Sequence, residues 1–239
     1  MAVPHTAMLL AAGLGTRMRP LTDNTPKPLI PVAGRSILDR LIDALVEAGV
    51  TRLVINVHWL ADKVEAHMAG IGGVEVLISD ERDNLLETGG GIVKAAPLLG
   101  DDPVWVLNTD AFWAPTDIQP LVDLAAAYDP AAMDDLLLLA DRERTLGYPG
   151  AGDFHCEPDG RLRRRGDDVT APWAYAGVRI TKPQLYKDEP LEPFSANRIW
   201  DRLIPAGRLH GLAMDRFWLH VGDPSALADA DMWMRCHGP

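Results

Sequence analysis

Short apolar runs alternate with amphipathic segments through the first half of the chain, and this alternation restricts the fold more than any other feature. Ala7–Ala12 (AMLLAA), Leu53–Val57 (LVINV), Val74–Ile78 (VEVLI) and Val104–Leu107 (VWVL) have the length and bounds of buried strands. Between the first two, Ile37, Leu38, Leu41, Ile42, Leu45 and Val46 repeat at helical spacing, with Ser36 placed to cap and Gly49 to end the helix. Leu60–Ala69, Gly90–Leu99 and Asp117–Ala127 predict further helices. Strand, helix, strand in repetition predicts an α/β fold, a mostly parallel sheet flanked by helices in three layers, because both faces of such a sheet must be covered. The second half is less regular. Leu136–Ala140, Tyr175–Ile180 and Phe217–Val221 read as strands, Asn197–Pro205 and Ala226–Met234 as helices, and Gly147–Gly166 as turns with short hairpin strands. A small antiparallel elaboration after about residue 140 is therefore expected, within one domain spanning 1–239.

In open sheets of this kind ligands bind beyond the carboxyl ends of the strands. The segment after the first strand runs Ala12-Gly13-Leu14-Gly15-Thr16-Arg17-Met18-Arg19-Pro20-Leu21 and then Pro26-Lys27-Pro28-Leu29. Glycines there let main-chain N–H groups approach phosphate oxygens, Arg17 offers a bidentate fork, and Lys27 adds a mobile point charge. A P-loop would need Gly-Lys-Ser/Thr, which is absent. A dinucleotide fingerprint would need a small residue where Met18 stands, an immediate helix, and an acid where Asn56 ends the second strand. Pro20, Pro26, Pro28 and Pro31 instead predict a long ordered loop draped over a ligand.

The bulk charge narrows the ligand. A net charge of −11 argues against a nucleic-acid footprint, which requires clustered cations, but leaves room for a small phosphorylated molecule. The densest basic run, Arg161 and Arg163 to Arg165, is bracketed by Asp159, Asp167 and Asp168 and reads as a solvated turn. No apolar run approaches membrane-spanning length and the first residues are not a signal sequence, so a cytoplasmic protein is expected. Cys156 and Cys236 fit no metal or disulfide spacing, and the seven histidines show no zinc motif. His58-Trp59 is expected to cap and pack the following helix, and Trp113 to lie near the site.

Leu10-Ala11-Ala12-Gly13-Leu14-Gly15-Thr16-Arg17-Met18-Arg19-Pro20-Leu21-Thr22 with Lys27-Pro28-Leu29 resembles the signature of the sugar-1-phosphate nucleotidyltransferase family. The similarity continues through Leu85-Leu86-Glu87-Thr88-Gly89-Gly90-Gly91-Ile92, Asn108-Thr109-Asp110 and Val221-Gly222-Asp223, in the order that family has them. The resemblance implies a Rossmann-like fold, with 1–140 binding the nucleotide and 141–239 the sugar. It implies an NTP and a sugar 1-phosphate as substrates, and Mg²⁺ held by Asp110 and Asp223. It makes Arg17, Lys27 and Asp110 catalytic. It gives Ala12, Gly13, Gly15, Thr16, Arg17, Lys27, Glu81, Leu85, Thr88, Gly89 and Asn108 to the nucleotide, and Asp153, Trp173 and Asn197 to the sugar. The Leu-Glu-Thr-Gly-Gly-Gly form and the short C-terminus are most similar to the branch that joins UTP to N-acetylmuramate 1-phosphate in peptidoglycan recycling. The branch using GTP and mannose 1-phosphate is a close neighbour. A monomer or small homo-oligomer is expected.

The residue types suit that chemistry on their own terms. Two polyanions must meet, so hard oxygen ligands for a divalent cation and fixed positive charges address the main obstacle. A phosphate monoester, with a second pKa of about 6, needs no general base at neutral pH. Asp110 could equally be a strand-end turn residue, and Gly222-Asp223-Pro224 is good helix-capping chemistry.

Overall fold

The computed structural model describes residues 3–237. In chain order its strands and helices are Thr6–Leu10 (β1), the small hairpin Pro31–Val32 (β2) and Arg35–Ser36 (β3), Ile37–Glu47 (α1), Arg52–Val57 (β4), Ala61–Met68 (α2), Glu75–Asp80 (β5), Glu87–Leu99 (α3), Val104–Asn108 (β6), Ala111–Ala114 (β7), Gln119–Ala127 (α4) and Asp135–Asp141 (β8). The second half adds Thr145–Leu146 (β9), Phe154–Cys156 (β10), Leu162–Arg164 (β11), Trp173–Thr181 (β12), Asn197–Leu203 (α5), Leu209–Ala213 (β13), Phe217–His220 (β14) and Pro224–His237 (α6).

The central sheet is mixed, with its first-half strands parallel. β5, β4, β1 and β6 lie side by side in parallel. β12 then runs antiparallel to β6 and, along its other edge, antiparallel to β8, which pairs in parallel with β13. Successive residues of the inner strands are buried in alternate cores, which is why these strands read as continuous apolar runs. Ala7, Leu9, Leu53, Ile55, Trp105 and Leu107 face one core with α1, α2 and α4. Met8, Val54, Val104 and Val106 face a second core with α3 and α5. Helices thus cover both faces, giving three layers. Ser36 caps α1 as its position predicts, its Oγ accepting from Asp39 N at 3.0 Å.

Three differences from the sequence reading have physical causes. β7 packs as a separate small sheet with β14 and β9, so Trp113 is fully buried core and its indole donates to Asp117 O. Leu209–Ala213 carries His210 and Gly211, which break strand periodicity, yet it completes the sheet edge beside β8. α3 begins at Glu87, three residues before the expected start at Gly90, because each glycine of the run Gly89–Gly91 is a contact point rather than a break. A Cβ at Gly89 would strike the Phe194 ring, one at Gly90 would lie 2.2 Å from Glu192 O, and one at Gly91 would lie 2.9 Å from both Asn56 and Glu81 side chains.

The second core holds an enclosed ion pair. Asp135 and Arg179 side chains are 0% and 2% exposed, with Arg179 Nε 3.7 Å from Asp135 Oδ2. Trp200 Nε1 donates to the same oxygen and Arg179 Nη2 to Tyr186 Oη, both at 2.9 Å. Burial pushes the Asp135 carboxyl up to about 6, with Arg179 and Trp200 opposing the rise. An acid raised in the folded state favours its neutral form, so its contribution is most favourable at low pH and is lost as pH climbs through that value. Removing Arg179 strands the carboxylate. Arg179→Met should cost about 3–5 kcal/mol near neutral pH, and denaturant titrations should show a smaller loss at pH 5 than at pH 7.5. Equal losses at both pH values would contradict the pairing.

Candidate active site

The parallel strands deliver their carboxyl ends to one cleft of about 520 Å³. Its walls include Ala11 to Arg17 and Lys27 from the loop after β1, and Asn108 to Asp110 from the end of β6. Leu85, Glu87 and Thr88 close it at the start of α3, with Ser195 and Gly222 from the second half. The predicted loop is ordered from outside. Trp59 Nε1 donates to Thr22 O at 2.8 Å, Lys63 Nζ donates to Asn24 O, and Thr22 Oγ1 donates to Gly15 O at 2.8 Å. Gly15 sits at φ +61°, and a Cβ there would be 2.8 Å from Thr22 Cγ2. That position requires glycine on both counts. Trp59 therefore ties the loop down, and His58 does not cap α2: its Nδ1 lies 2.6 Å from Glu81 O, while Leu60 occupies the cap in left-handed conformation.

The innermost tether is Asn56, the polar residue inside the apolar run of β4. Its Oδ1 accepts from Ala11 N at 2.7 Å and Ala12 N at 3.3 Å, while its Nδ2 donates to Glu81 Oε1 at 2.7 Å. Glu81 Oε2 accepts in turn from Leu86 N at 3.1 Å. Glu81 is fully buried and does not line the cleft, which corrects its expected role as a base acceptor: both oxygens are held by protein donors. Burial pushes its carboxyl up, against the lowering from Asn56 and the Leu86 amide. Gly89 is corrected likewise, since its N–H donates to Phe194 O at 2.8 Å and it lies outside the cleft.

At the far end, Lys27 Nζ donates to Asp110 Oδ2 at 2.8 Å, and His220 Nε2 lies 3.8 Å from the same oxygen. Burial works against Asp110 ionising, but Lys27, His220 and Arg17 outweigh it and its pKa is lowered. Arg17 has a nitrogen close to Gly222, 3.4 Å from where a Cβ would stand. The backbone of Val221 donates to Asp110 O at 2.8 Å, which brings the Val221-Gly222-Asp223 turn against the β6 end. Asp223 is half-buried, and its Oδ1 accepts from Ala226 N at 2.9 Å, capping α6. Its other oxygen has no hydrogen-bond partner among the described residues.

A second cleft of about 370 Å³ is lined by Gly152, Asp153, Arg164, Arg165, Gly166, Asn197 and Asp201. Asp153 and Asn197 are thus together, whereas Trp173 sits at the start of β12, packed against the second core and outside this lining. The supposed solvated turn supplies Arg164 and Arg165 to it, a correction to the sequence reading. The clefts are linked. Asn197 Nδ2 donates to Ser195 Oγ at 3.0 Å, and Tyr148, which donates to Asp153 Oδ1, packs edge-on against His220.

Sequence reasoning passed over Asn56 as an active element, His220, Tyr148, Ser195 and Glu87. Glu87 is exposed at the cleft wall with φ +58°, a backbone region that costs about 1–3 kcal/mol for a residue with a Cβ. The one available signal was Asn56 itself, a carboxamide in the middle of an otherwise apolar strand.

A family model described as nucleotidyl transferase matches residues 6–148, which carry the whole glycine loop, Lys27 and Asp110. The chain belongs to the nucleotidyl transferase family. It is 46% identical over 233 residues to an N-acetylmuramate alpha-1-phosphate uridylyltransferase of Caulobacter vibrioides, covering 95% of this chain and 96% of that one. A protein of the same description from Neisseria meningitidis is 36% identical over 94% of this chain and 96% of its own length. In shape the chain is similar to a putative glucose-1-phosphate thymidylyltransferase from Bacillus anthracis, with TM-score 0.79 at 18% identity over 96% of this chain and 95% of that one. These likenesses agree with the sugar-1-phosphate nucleotidyltransferase resemblance and with the three-layer fold.

Within this family the Asn56 bridge has a measurable consequence. Gly91→Ala replaces no cleft-lining residue but drives a methyl into the Asn56–Glu81 contact, at a cost of about 1–3 kcal/mol. Asn56→Ala removes the acceptor for two loop amides. Both should raise the KM for the nucleotide at least several-fold, Asn56→Ala more so, in steady-state assays on protein of native circular dichroism. An unchanged KM in both would make the bridge irrelevant to the loop.

Proposed function

We propose that the enzyme transfers a uridylyl group from UTP to N-acetylmuramate 1-phosphate, releasing pyrophosphate and forming UDP-N-acetylmuramate, a step of peptidoglycan recycling in the cytoplasm. The Lys27–Asp110 contact beside Arg17, at the open end of a glycine-lined cleft, carries the reading. It supports a reading in which Lys27 and Arg17 offset the repulsion of two phosphates and Asp110, with Asp223, would hold a divalent cation that neutralises phosphate charge. The relatives in Caulobacter and Neisseria support the choice of base and sugar.

A phosphate oxygen of the sugar 1-phosphate attacks the α-phosphorus of UTP in line. The new O–P bond forms as the bond to the β-phosphate oxygen breaks, and pyrophosphate leaves with the bonding pair. Arg17 grips the departing pyrophosphate, and its planar fork suits two oxygens at once. Lys27 turns from Asp110 toward the reacting phosphates and offsets their repulsion. The amides of Gly13, Gly15 and Thr16 face the triphosphate, and Ala12, Leu85, Thr88 and Asn108 surround the nucleoside. Asp153 and Asn197 bind the sugar in the second cleft, so that residues 1–140 serve the nucleotide and 141–239 the sugar. No side chain need remove a proton, which fits a site built of cations, glycines and carboxylates.

The residues fit Mg²⁺. Asp110 and Asp223 provide hard oxygens on adjoining turns, and no third His, Cys, Asp or Glu joins them among the described residues. Mg²⁺ commonly takes one or two carboxylates and completes its shell with water and substrate phosphates. When bound it supplies charge neutralisation at the α-phosphate.

Pyrophosphate release across nucleotides and sugar 1-phosphates tests the reading. UTP with N-acetylmuramate 1-phosphate and Mg²⁺ should give the highest kcat/KM, and EDTA should abolish it. A Xenopus laevis mannose-1-phosphate guanyltransferase is 29% identical over 91% of this chain, so GTP with mannose 1-phosphate is the competing pair, and its dominance would overturn the assignment. Asp110→Asn should lower turnover at least about a hundredfold in a folded protein. Lys27→Ala should also lower it strongly, and near-normal rates in either variant would remove that residue from the reaction.

A further inference from the structure

The second cleft contains a guanidinium, that of Arg165, which makes no salt bridge among the described residues. Among the cleft-lining arginines, Arg17 in the first cleft and Arg165 in the second have no carboxylate partner among the described residues. The rest of the basic run is paired. Arg161 binds Asp159 and Arg163 binds Asp168, which also meets His155. Arg164 donates to Asp201 Oδ1 at 2.7 Å and to Asn197 Oδ1 at 2.9 Å, with its guanidinium over Phe154 and Trp200. In a chain with 34 acidic and 23 basic residues, a half-buried arginine with no salt bridge is conspicuous, the more so because Asp153 and Asp201 line the same cleft without pairing to it.

Arg165 is also fixed in place. Its Nε donates to Gly152 O at 3.2 Å and its Nη1 to Asp168 O at 2.9 Å. Those carbonyls orient the plane without cancelling its charge. Two of five N–H donors are used, so three have no protein acceptor. Gly152 is itself immobile, at φ +89° with space for no Cβ because Ala171 O stands in the way. The nearby Asp153 carboxylate is occupied, one oxygen accepting from Tyr148 Oη and the other from Tyr175 N. Arg165 therefore lines the cleft as a backbone-held cation with donors to spare for an anion.

We infer that Arg165 binds a carboxylate carried by the sugar, and thereby selects an acidic sugar 1-phosphate over its neutral counterpart. This rests on the reading above, in which the second cleft receives the sugar. N-acetylmuramate is N-acetylglucosamine bearing a lactyl ether, and the lactyl carboxylate is the one anionic group the two 1-phosphates do not share. A planar fork with spare parallel donors matches a carboxylate in two-point contact, and a sugar lacking it leaves the charge unanswered.

The test compares kcat/KM for N-acetylmuramate 1-phosphate and N-acetylglucosamine 1-phosphate, each with UTP, in the native enzyme, Arg165→Gln and Arg165→Lys. The native enzyme should prefer the acidic sugar at least tenfold. Arg165→Gln should reduce that ratio by about tenfold or more, and Arg165→Lys should keep an intermediate ratio, with thermal melts confirming folded protein. A ratio preserved in Arg165→Gln overturns the inference and leaves the uridylyltransferase reading standing. An equal fall for both sugars overturns it too, since the phosphate they share would then be the group bound. A native enzyme that does not prefer the acidic sugar, or uses neither, fails the functional reading itself, and the inference falls with it.

Discussion

One carboxamide joins the parts of this site. Asn56 ends the apolar run of β4 yet spends both polar atoms across strand ends, accepting from the loop after β1 and donating to Glu81 ahead of α3. Glu81 passes the connection to the Leu86 amide, so the two walls of the cleft share one buried hydrogen-bonded chain. In such a chain each member is fully satisfied only when its neighbours are in place, and an unmade bond leaves a buried polar group at a cost of about 1–3 kcal/mol. The glycine loop cannot shift without exposing that cost. Gly91 is small because the pair passes directly over it. The glycine run of α3 is thus a packing surface, each member admitting a different neighbour, while Thr88 and Glu87 present side chains to the cleft.

The same view explains what was legible in the sequence. Parallel strands buried on both faces leave continuous apolar runs, so β1, β4 and β6 and their covering helices were readable, and the half-buried edge strand β5 with them. Arg17, Lys27 and Asp110, which the structure brings to one cleft, also stood out, because a cation flanked by glycine and proline, or an acid just past a strand, is local information. Glu81 misled because burial is not local. An acid after a strand resembles a ligand group until its partners are known, and here those partners are Asn56, 25 residues away, and the Leu86 amide. His220 was passed over for a related reason: its strand was readable, but what brings it to the site is pairing of β14 with β7 and β9, segments of four and two residues about 100 and 70 positions away. Arg165 was hidden by its neighbours. A run of arginines among aspartates reads as solvated, and only the pairing pattern shows which one lacks an acid.

The distribution of charge follows from what each cleft must do. A net charge of −11 would repel two polyanionic substrates if it were spread evenly. The chain instead pairs two of its four cleft cations with acids, Arg164 with Asp201 and Lys27 with Asp110, and leaves Arg17 and Arg165 without a salt bridge among the described residues. Lys27 differs from the other two in being paired yet mobile. Its ammonium gains from Asp110 before substrate arrives, and a triphosphate offers it a stronger anion, so binding exchanges one contact for another instead of desolvating a bare charge. Arginine serves where the geometry must be planar and fixed, lysine where the charge must move. On this account the fixed cations define which anions are recognised, and the exchangeable one sits at the place where bonds change.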